Sequence, residues 1–484
     1  MTDPDLRYGT ARARWVIGAA VAGSGIAFLD STVVNVALPH ISADLGGGLA
    51  GLQWTLDAYL VTLTSLLLLG GSLGDLYGRK RVFMLGLVGF SIASLACGLA
   101  PTIELLVLFR GLQGAAGALL VPSSLAIISA SFHPDDRARA VGAWSGLGAA
   151  AGAIGPFVGG WLVDGFGWRP VFFINLPFAA AAVYVTWRHV PESSEGAGAR
   201  RPDLRGAGLI TVALAAITFG LIEIGDGLTP SVAIALVTGA VALVGFLLVE
   251  TRVPHPLLPL GLFRSRQFSG ANLVTLSVYA ALGVTSFLIV VQLQVGLGYS
   301  ALEAGAALLP ITVLAASFSA RSGALAQRIG PRAQMTVGPL FVAAGLLLYT
   351  RVQPGATYVQ AVLPGAIVFG IGVTLLVAPL TATVLAAVDN HQAGIASGVN
   401  NAVARLAGLL AIALLPGLAG ITAAQPGVGF GPGFAVALQI AAGLCVLGSI
   451  VAFATIRTAE RVRSVAQPLQ LACQDPCLVD LGAA

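Results

Sequence analysis

The chain has 484 residues, of which 57% are hydrophobic and only 10% charged, with a formal net charge of +4. Soluble globular proteins carry about 25% charged residues, so this composition excludes a water-soluble globular fold. The basic residues are scattered between apolar runs, which argues against nucleic acid as a partner and leaves the lipid bilayer.

Those runs reach the length of about 20 residues that a membrane-spanning helix needs. They are continuous and rich in Leu, Ala and Val, without the alternation of barrel strands. The expected fold class is an all-α polytopic membrane protein. In chain order the sequence predicts fourteen spans: 15–38, 50–72, 82–100, 103–125, 140–163, 170–188, 207–224, 232–250, 269–293, 302–322, 334–352, 359–380, 402–422 and 434–456. The polar start MTDPDLRYGTARAR leads into a full-length span, so a start-anchor helix is expected and not a cleaved signal peptide. Pro101 and a few polar neighbours alone divide the third span from the fourth.

Charge placement supports the count. With the N-terminus inside, the inner segments collect every basic residue, Arg321 and Arg405 included, except Arg110, Arg169 and Arg351. Losing one helix would scramble this asymmetry, so an even number of spans and two cytoplasmic termini are expected. The sequence also repeats: GSLGDLYGRK (71–80) matches GALAQRIGPR (323–332) in its glycines, a Leu and its final basic residue. Both stretches follow the second helix of a set, as in transporters built from repeated halves. The expected organisation is a six-helix half over 1–190, a linker with two inserted helices over 191–265, a second half over 266–456, and a cytoplasmic tail over 457–484.

Ionisable groups inside a bilayer are costly and point to function. Asp30 in helix 1 and Arg110 in helix 4 fall at similar depth, so a direct or water-linked pair is possible. It reads either as a structural pin between two helices or as a proton site whose charge balance a conformational change tips. Asp57 in helix 2 is a second candidate for proton or cation binding, or else an interfacial carboxylate beside Trp54 and Tyr59 that reaches for the headgroups. Glu104, Asp164 and Glu303 read as plain outer-end charges, and Glu223 and Asp226 as solvated. In GAAAGAIGPFVGGWL (148–162), Gly155, Gly159 and Gly160 permit close helix approach and Pro156 favours a kink.

Several chemistries are dismissed. GGSLG (70–74) fits G-x-S-x-G but ends a membrane helix and not a strand. No Gly-Lys-Ser/Thr exists for a phosphate loop, the histidines are too dispersed for a metal, and the four cysteines, with Cys473 and Cys477 in the tail, form no disulfide framework. No enzyme activity, metal or cofactor is expected.

Taken together, the motifs resemble the major facilitator superfamily, in particular its fourteen-helix drug:proton antiporters of the EmrB/QacA type. GSLGDLYGRKR resembles the loop 2–3 signature, LDSTVVNVALP (29–39) the helix 1 motif, RGLQGAAGA (110–118) the helix 4 motif, GPFVGG (155–160) the helix 5 antiporter motif, and WRPVFFINLP (168–177) a stretch typical of the branch. Ala151 departs from the usual glycine of helix 5, and Gln327 replaces Asp in the second loop copy.

The resemblance implies a proton-driven, alternating-access exporter of lipophilic or cationic small molecules, a monomer in a bacterial inner membrane, with proton coupling at Asp30 and Arg110. Asp57, with Asn35, Trp54, Tyr59 and Gln113, forms the candidate substrate- or proton-binding set. Gly71, Asp75, Gly78, Arg79 and Lys80 form a conformational gate, with Asp75 docked at the N-terminus of helix 13 near 389–401, where a carboxylate is favourable. The alternatives are a dedicated exporter of one endogenous metabolite, antibiotic or lipid precursor, and a non-transporting sensor or scaffold.

Overall fold

A computed structural model describes residues 6–194, 202–389 and 392–457. The centre of the linker and the tail beyond 457, with Cys473 and Cys477, lie outside the described residues. The described chain is a helical bundle. Thirteen helices are long and apolar enough to cross a bilayer: α1 (Ala11–Leu45), α2 (Gly48–Tyr77), α3 (Arg79–Gly98), α4 (Ile103–Ser131), α5 (Pro134–Phe166), α6 (Pro170–His189), α7 (Leu204–Glu223), α8 (Pro230–Glu250), α9 (Arg266–Gly296), α10 (Ala301–Ile329), α12 (Tyr358–Ala386), α13 (Ala393–Leu418) and α14 (Pro432–Thr455). The fourteenth, α11 (Pro331–Tyr349), has 19 residues and carries Arg332 and Gln334 in its first turn. It packs between α12 and α14.

Helices form here because hydrocarbon offers no partner for backbone N–H and C=O groups, which must be satisfied within the segment. Their starts are capped: Thr10, Thr102, Thr229 and Ser265 each accept from the first turn with a hydroxyl, and Ser300 and Glu303 form a capping box at α10. Thr102 thereby divides α3 from α4. The repeated loop motif is one turn used twice: α2 ends at Gly78 with φ 107°, and α10 ends at Gly330 with φ 85°. A side chain is strained in that region, which glycine enters freely.

Packing repeats with the motif. In the first half α1 lies against α5 and α6, and α4 against α2 and α3; in the second, α9 lies against α13 and α14, and α12 against α10 and α11. The inserted pair α7 and α8 pack on each other, and α7 leans on α2 and α13.

We call the side that holds the described chain ends inner. One buried apolar cluster runs from the outer parts of α1 and α2 (Val36, Leu38, Leu52) into the second half (Ile412, Leu415). A separate cluster, including Ala13, Phe83, Ile128 and Ala182, fills the inner part of the first half, with Ala402 of α13 packed against it. The halves therefore share a buried core on the outer side, while further in α13 stays against α2, where a Cβ added to Gly398 would lie 3.1 Å from Leu68 Cδ2.

Some helices overrun their expected spans. Helix α13 starts at Ala393, not near 402, because the small and amide residues of AGIASGVNN pack between helices and do not form a loop. Arg405, expected on the inner side, accordingly sits mid-helix, twelve residues from the α13 start. Arg321 likewise lies inside α10, which runs to Ile329.

Candidate functional site

Asp30 and Arg110 are fully buried and joined directly, Arg110 Nη1 to Asp30 Oδ2 at 2.5 Å. Neither stands alone. The same Nη1 donates to Gln113 Oε1 at 2.7 Å, and Arg110 Nε donates to the Thr55 carbonyl on α2 at 3.0 Å. Asp30 Oδ1 accepts from Gln113 Nε2 and from Asn175 Nδ2, each at 2.9 Å. Ser94 on α3 closes the cluster, receiving Asn175 Nδ2 at 3.0 Å and Gln113 Nε2 at 3.2 Å. The guanidinium carbon lies 4.4 Å from the centre of the Tyr59 ring and 5.8 Å from that of Phe172. Five helices, α1, α2, α3, α4 and α6, thus converge on one carboxylate. Burying an ion pair is costly unless its remaining donors and acceptors are met, and here both Asp30 oxygens are acceptors in use. Adding a proton to either would place a donor against donors.

Asp30 lies 15 residues from the outer end of α1, deeper than the sequence implied, because the helix runs on to Leu45. Gln113 belongs to the cluster, as the candidate set expected. Asn175 and Ser94 were missed. Asn175 stands in WRPVFFINLP, where α6 breaks at Ile174 and restarts at Asn175, so the motif held a signal that spacing alone did not rank.

The other candidates separate. Asp57 is fully buried and, among the described residues, neither carboxylate oxygen has a hydrogen-bond partner. That excludes the interfacial, headgroup-reaching alternative. One turn earlier on α2, Gln53 donates to the Ile412 carbonyl of α13 at 2.6 Å. One turn later, Val61 packs with Leu214 of α7 and Leu409 of α13. Asp57 therefore faces the seam between the halves and the inserted pair. Trp54 lies against Phe219 of α7, ring centres 6.4 Å apart, and Asn35 donates only to the Ser31 carbonyl one turn back.

The loop 70–81 is bound within its own half. Asp75 takes Arg79 Nε at 2.9 Å and Nη2 at 2.7 Å. The backbone N–H of Lys80 donates to Glu192, and its ammonium to the Trp187 carbonyl at 2.9 Å. Gly78 presses so close to Glu192 that an added Cβ would lie 2.7 Å from Oε1, and Gly71 faces Pro122 of α4. Among the described residues Asp75 forms no hydrogen bond or ion pair with α13.

The outer side carries the contact instead. Asp164, read from sequence as a plain end charge, accepts from the backbone N–H of Ala301 at 3.0 Å and of Leu302 at 2.9 Å at the start of α10. Gly159 and Gly160 bring α5 against α1 and α10: an added Cβ would lie 3.0 Å from the Val33 carbonyl oxygen and 2.6 Å from that of Ala301. Gly155 abuts Thr32, whose hydroxyl donates to the Gly152 carbonyl at 2.9 Å, next to Pro156. Gln294 of α9 completes the seam with a 3.0 Å bond to the Val36 carbonyl. No group of metal-binding side chains occurs among the described residues.

The sequence model of the Major Facilitator Superfamily matches residues 20–412. The chain is 36% identical over 459 residues to the puromycin resistance protein pur8 of Streptomyces alboniger, covering 91% of each. It is 37% identical to the probable actinorhodin transporter of Streptomyces coelicolor, over 83% of this chain and 72% of that protein. The multidrug resistance protein Stp of Mycobacterium tuberculosis is 35% identical, over 80% of this chain and 72% of that one. Among solved structures, the POT family transporter PepTSo superposes with a TM-score of 0.66 at 14% identity, covering 91% of this chain and 96% of that chain. The D-xylose-proton symporter gives 0.64 at 14%, covering 92% and 98%. At such identity these two speak for the fold alone.

Proposed function

The chain belongs to the Major Facilitator Superfamily, a family of transporters, and on that premise we propose that it exports lipophilic small molecules by proton-coupled alternating access, as a drug or antibiotic efflux antiporter. The relatives bear the names of two resistance proteins and a transporter, and resistance supports the outward direction. The observation that carries the coupling is the buried Asp30–Arg110 pair with its full set of donors. Protonating Asp30 removes the charge that holds Arg110, and a rearrangement of five helices follows from one proton. Asp57, with neither donor nor cation, is chemically suited to hold a second proton. Each proton entering across about 150 mV supplies enough free energy, at ~2.3 kcal/mol per 100 mV, for a gradient of up to a few hundredfold.

The same reading makes the protein a carrier and not an enzyme, free of cofactors, working as a monomer in a bacterial inner membrane with both termini cytoplasmic. It places the two six-helix halves at 1–190 and 266–456. The present arrangement, with the shared core and the Asp164 contact on the outer side, is on this reading the form that loads from the cytoplasm. In the opposite form the inner side closes and Asp75 meets the start of α13.

The test is dye accumulation in everted membrane vesicles energised by a proton gradient. Asp30→Asn is expected to abolish driven accumulation while the protein stays in the membrane. Full accumulation in that variant would overturn the coupling role.

A further inference from the structure

Resting on this reading, we propose that Arg405 is the substrate-recognising group of the central space and that the preferred substrate is an aromatic molecule bearing an acidic group, a carboxylate or phenolate, in preference to a cation.

Arg405 stands twelve residues from the start of α13 and thirteen from its end at Leu418. That is about 18–20 Å from each helix end at 1.5 Å per residue, and so at mid-bilayer. It is half-buried. Its guanidinium carbon lies 5.9 Å from the Phe28 ring centre on α1, and the phenols of Tyr59 on α2 and Tyr279 on α9 lie near it. Phe28 and Tyr279 are half-buried as well. These neighbours come from both halves, so the exposed part of Arg405 opens to the space between them and not to lipid.

The charge balance of that space is one-sided. Arg110 is taken by Asp30, and Asp57 is enclosed with no partner. No carboxylate forms an ion pair with Arg405 among the described residues. A guanidinium at mid-bilayer without a counter-ion is costly, and such residues mark a substrate path. Its planar fork matches a carboxylate, and its aromatic neighbours offer faces for a ring system to stack on. A cationic substrate would meet like charge in a medium of low dielectric. Exporting an anion against one entering proton moves two positive charges inward per cycle, so the transport is driven by the membrane potential. Exchange of a monovalent cation for a proton would be electroneutral.

The experiment measures equilibrium binding of fluorescein, an aromatic anion, and ethidium, an aromatic cation, to the purified full chain by fluorescence polarisation. Fluorescein is expected to bind more tightly than ethidium. Arg405→Gln should weaken fluorescein by about tenfold or more, the scale of a lost charge-assisted hydrogen bond, and leave ethidium unchanged or tighter, while Arg405→Lys retains most of the fluorescein affinity. Unchanged fluorescein binding in Arg405→Gln would overturn the assignment, as would a wild-type preference for ethidium, which needs no variant to fold. Arg405-dependent fluorescein binding without proton- or potential-driven accumulation in vesicles would sink the export reading and leave the Arg405 assignment standing.

Discussion

Asp164 reaches across from the first half of the molecule to Leu302 in the second, its Oδ2 receiving the Leu302 N–H at 2.9 Å while Oδ1 receives that of Ala301. A carboxylate at a helix N-terminus meets unsatisfied N–H groups and the positive end of the dipole. The outer seam is thus held by a polar latch on a helix end, the same physical device the sequence led us to expect from Asp75 on the other side.

Removing that latch should favour the outward-open form. Asp164→Asn is expected to cost the outer seam about 1 kcal/mol, a roughly fivefold shift in the balance of the two forms. Spin-label distances between the outer ends of α5 and α10 report it. An unchanged distribution would make Asp164 a bystander.

A steric wedge at the same place should act more strongly. Gly160→Val puts a side chain where even a Cβ would lie 2.6 Å from the Ala301 carbonyl oxygen. The expected result is a protein that folds, binds dye and fails to close its outer side, seen as persistent labelling of a cysteine introduced at the outer end of α10 by a membrane-impermeant maleimide. Normal protection from the reagent would show that α5 and α10 adjust around the added volume.

Lysine should not replace arginine at 110. Arg110 serves Asp30, Gln113 and the Thr55 carbonyl from one planar fork, and an ammonium cannot meet that geometry. Arg110→Lys is expected to lower driven dye accumulation by about tenfold or more, the scale of a lost charged hydrogen bond, and to lower the melting temperature. Wild-type transport in this variant would reduce the pair to a simple charge contact.

For Asp75 the expectation is kinetic. Its ion pair with Arg79 is partly solvated, with side chains 35% and 16% exposed, and such pairs contribute about 0–1 kcal/mol. Asp75→Ala should leave stability and the Kd for dye nearly unchanged in the inner-open form and slow turnover. Unaltered turnover would remove it from the gate.

Much of the architecture was legible from the chain alone. Apolar length gives fourteen helices, since a bilayer imposes about 20 residues and internal hydrogen bonding on each span. The two copies of one loop motif marked two equivalent turns, because glycine ends a helix at both Gly78 and Gly330. Asp30 and Arg110 stood out because charges inside apolar runs are costly and rare.

Other features came only with the tertiary structure. Asn175 and Ser94 are ordinary polar residues by spacing, and become part of the site because α6 breaks at Ile174 and α3 lies beside it. Arg405 falls near the start of the expected span 402–422 and reads as an inner-end charge; only the helical course of residues 393–401, packed against α9 and α2, carries its guanidinium to mid-bilayer. Asp164 and Asp75 have similar local sequence credentials. Which of them caps a helix of the opposite half depends on which side of the molecule is closed. Hydropathy and periodicity report the environment of one helix at a time, whereas a latch, a buried pair or an open cation is a relation between helices far apart in the chain.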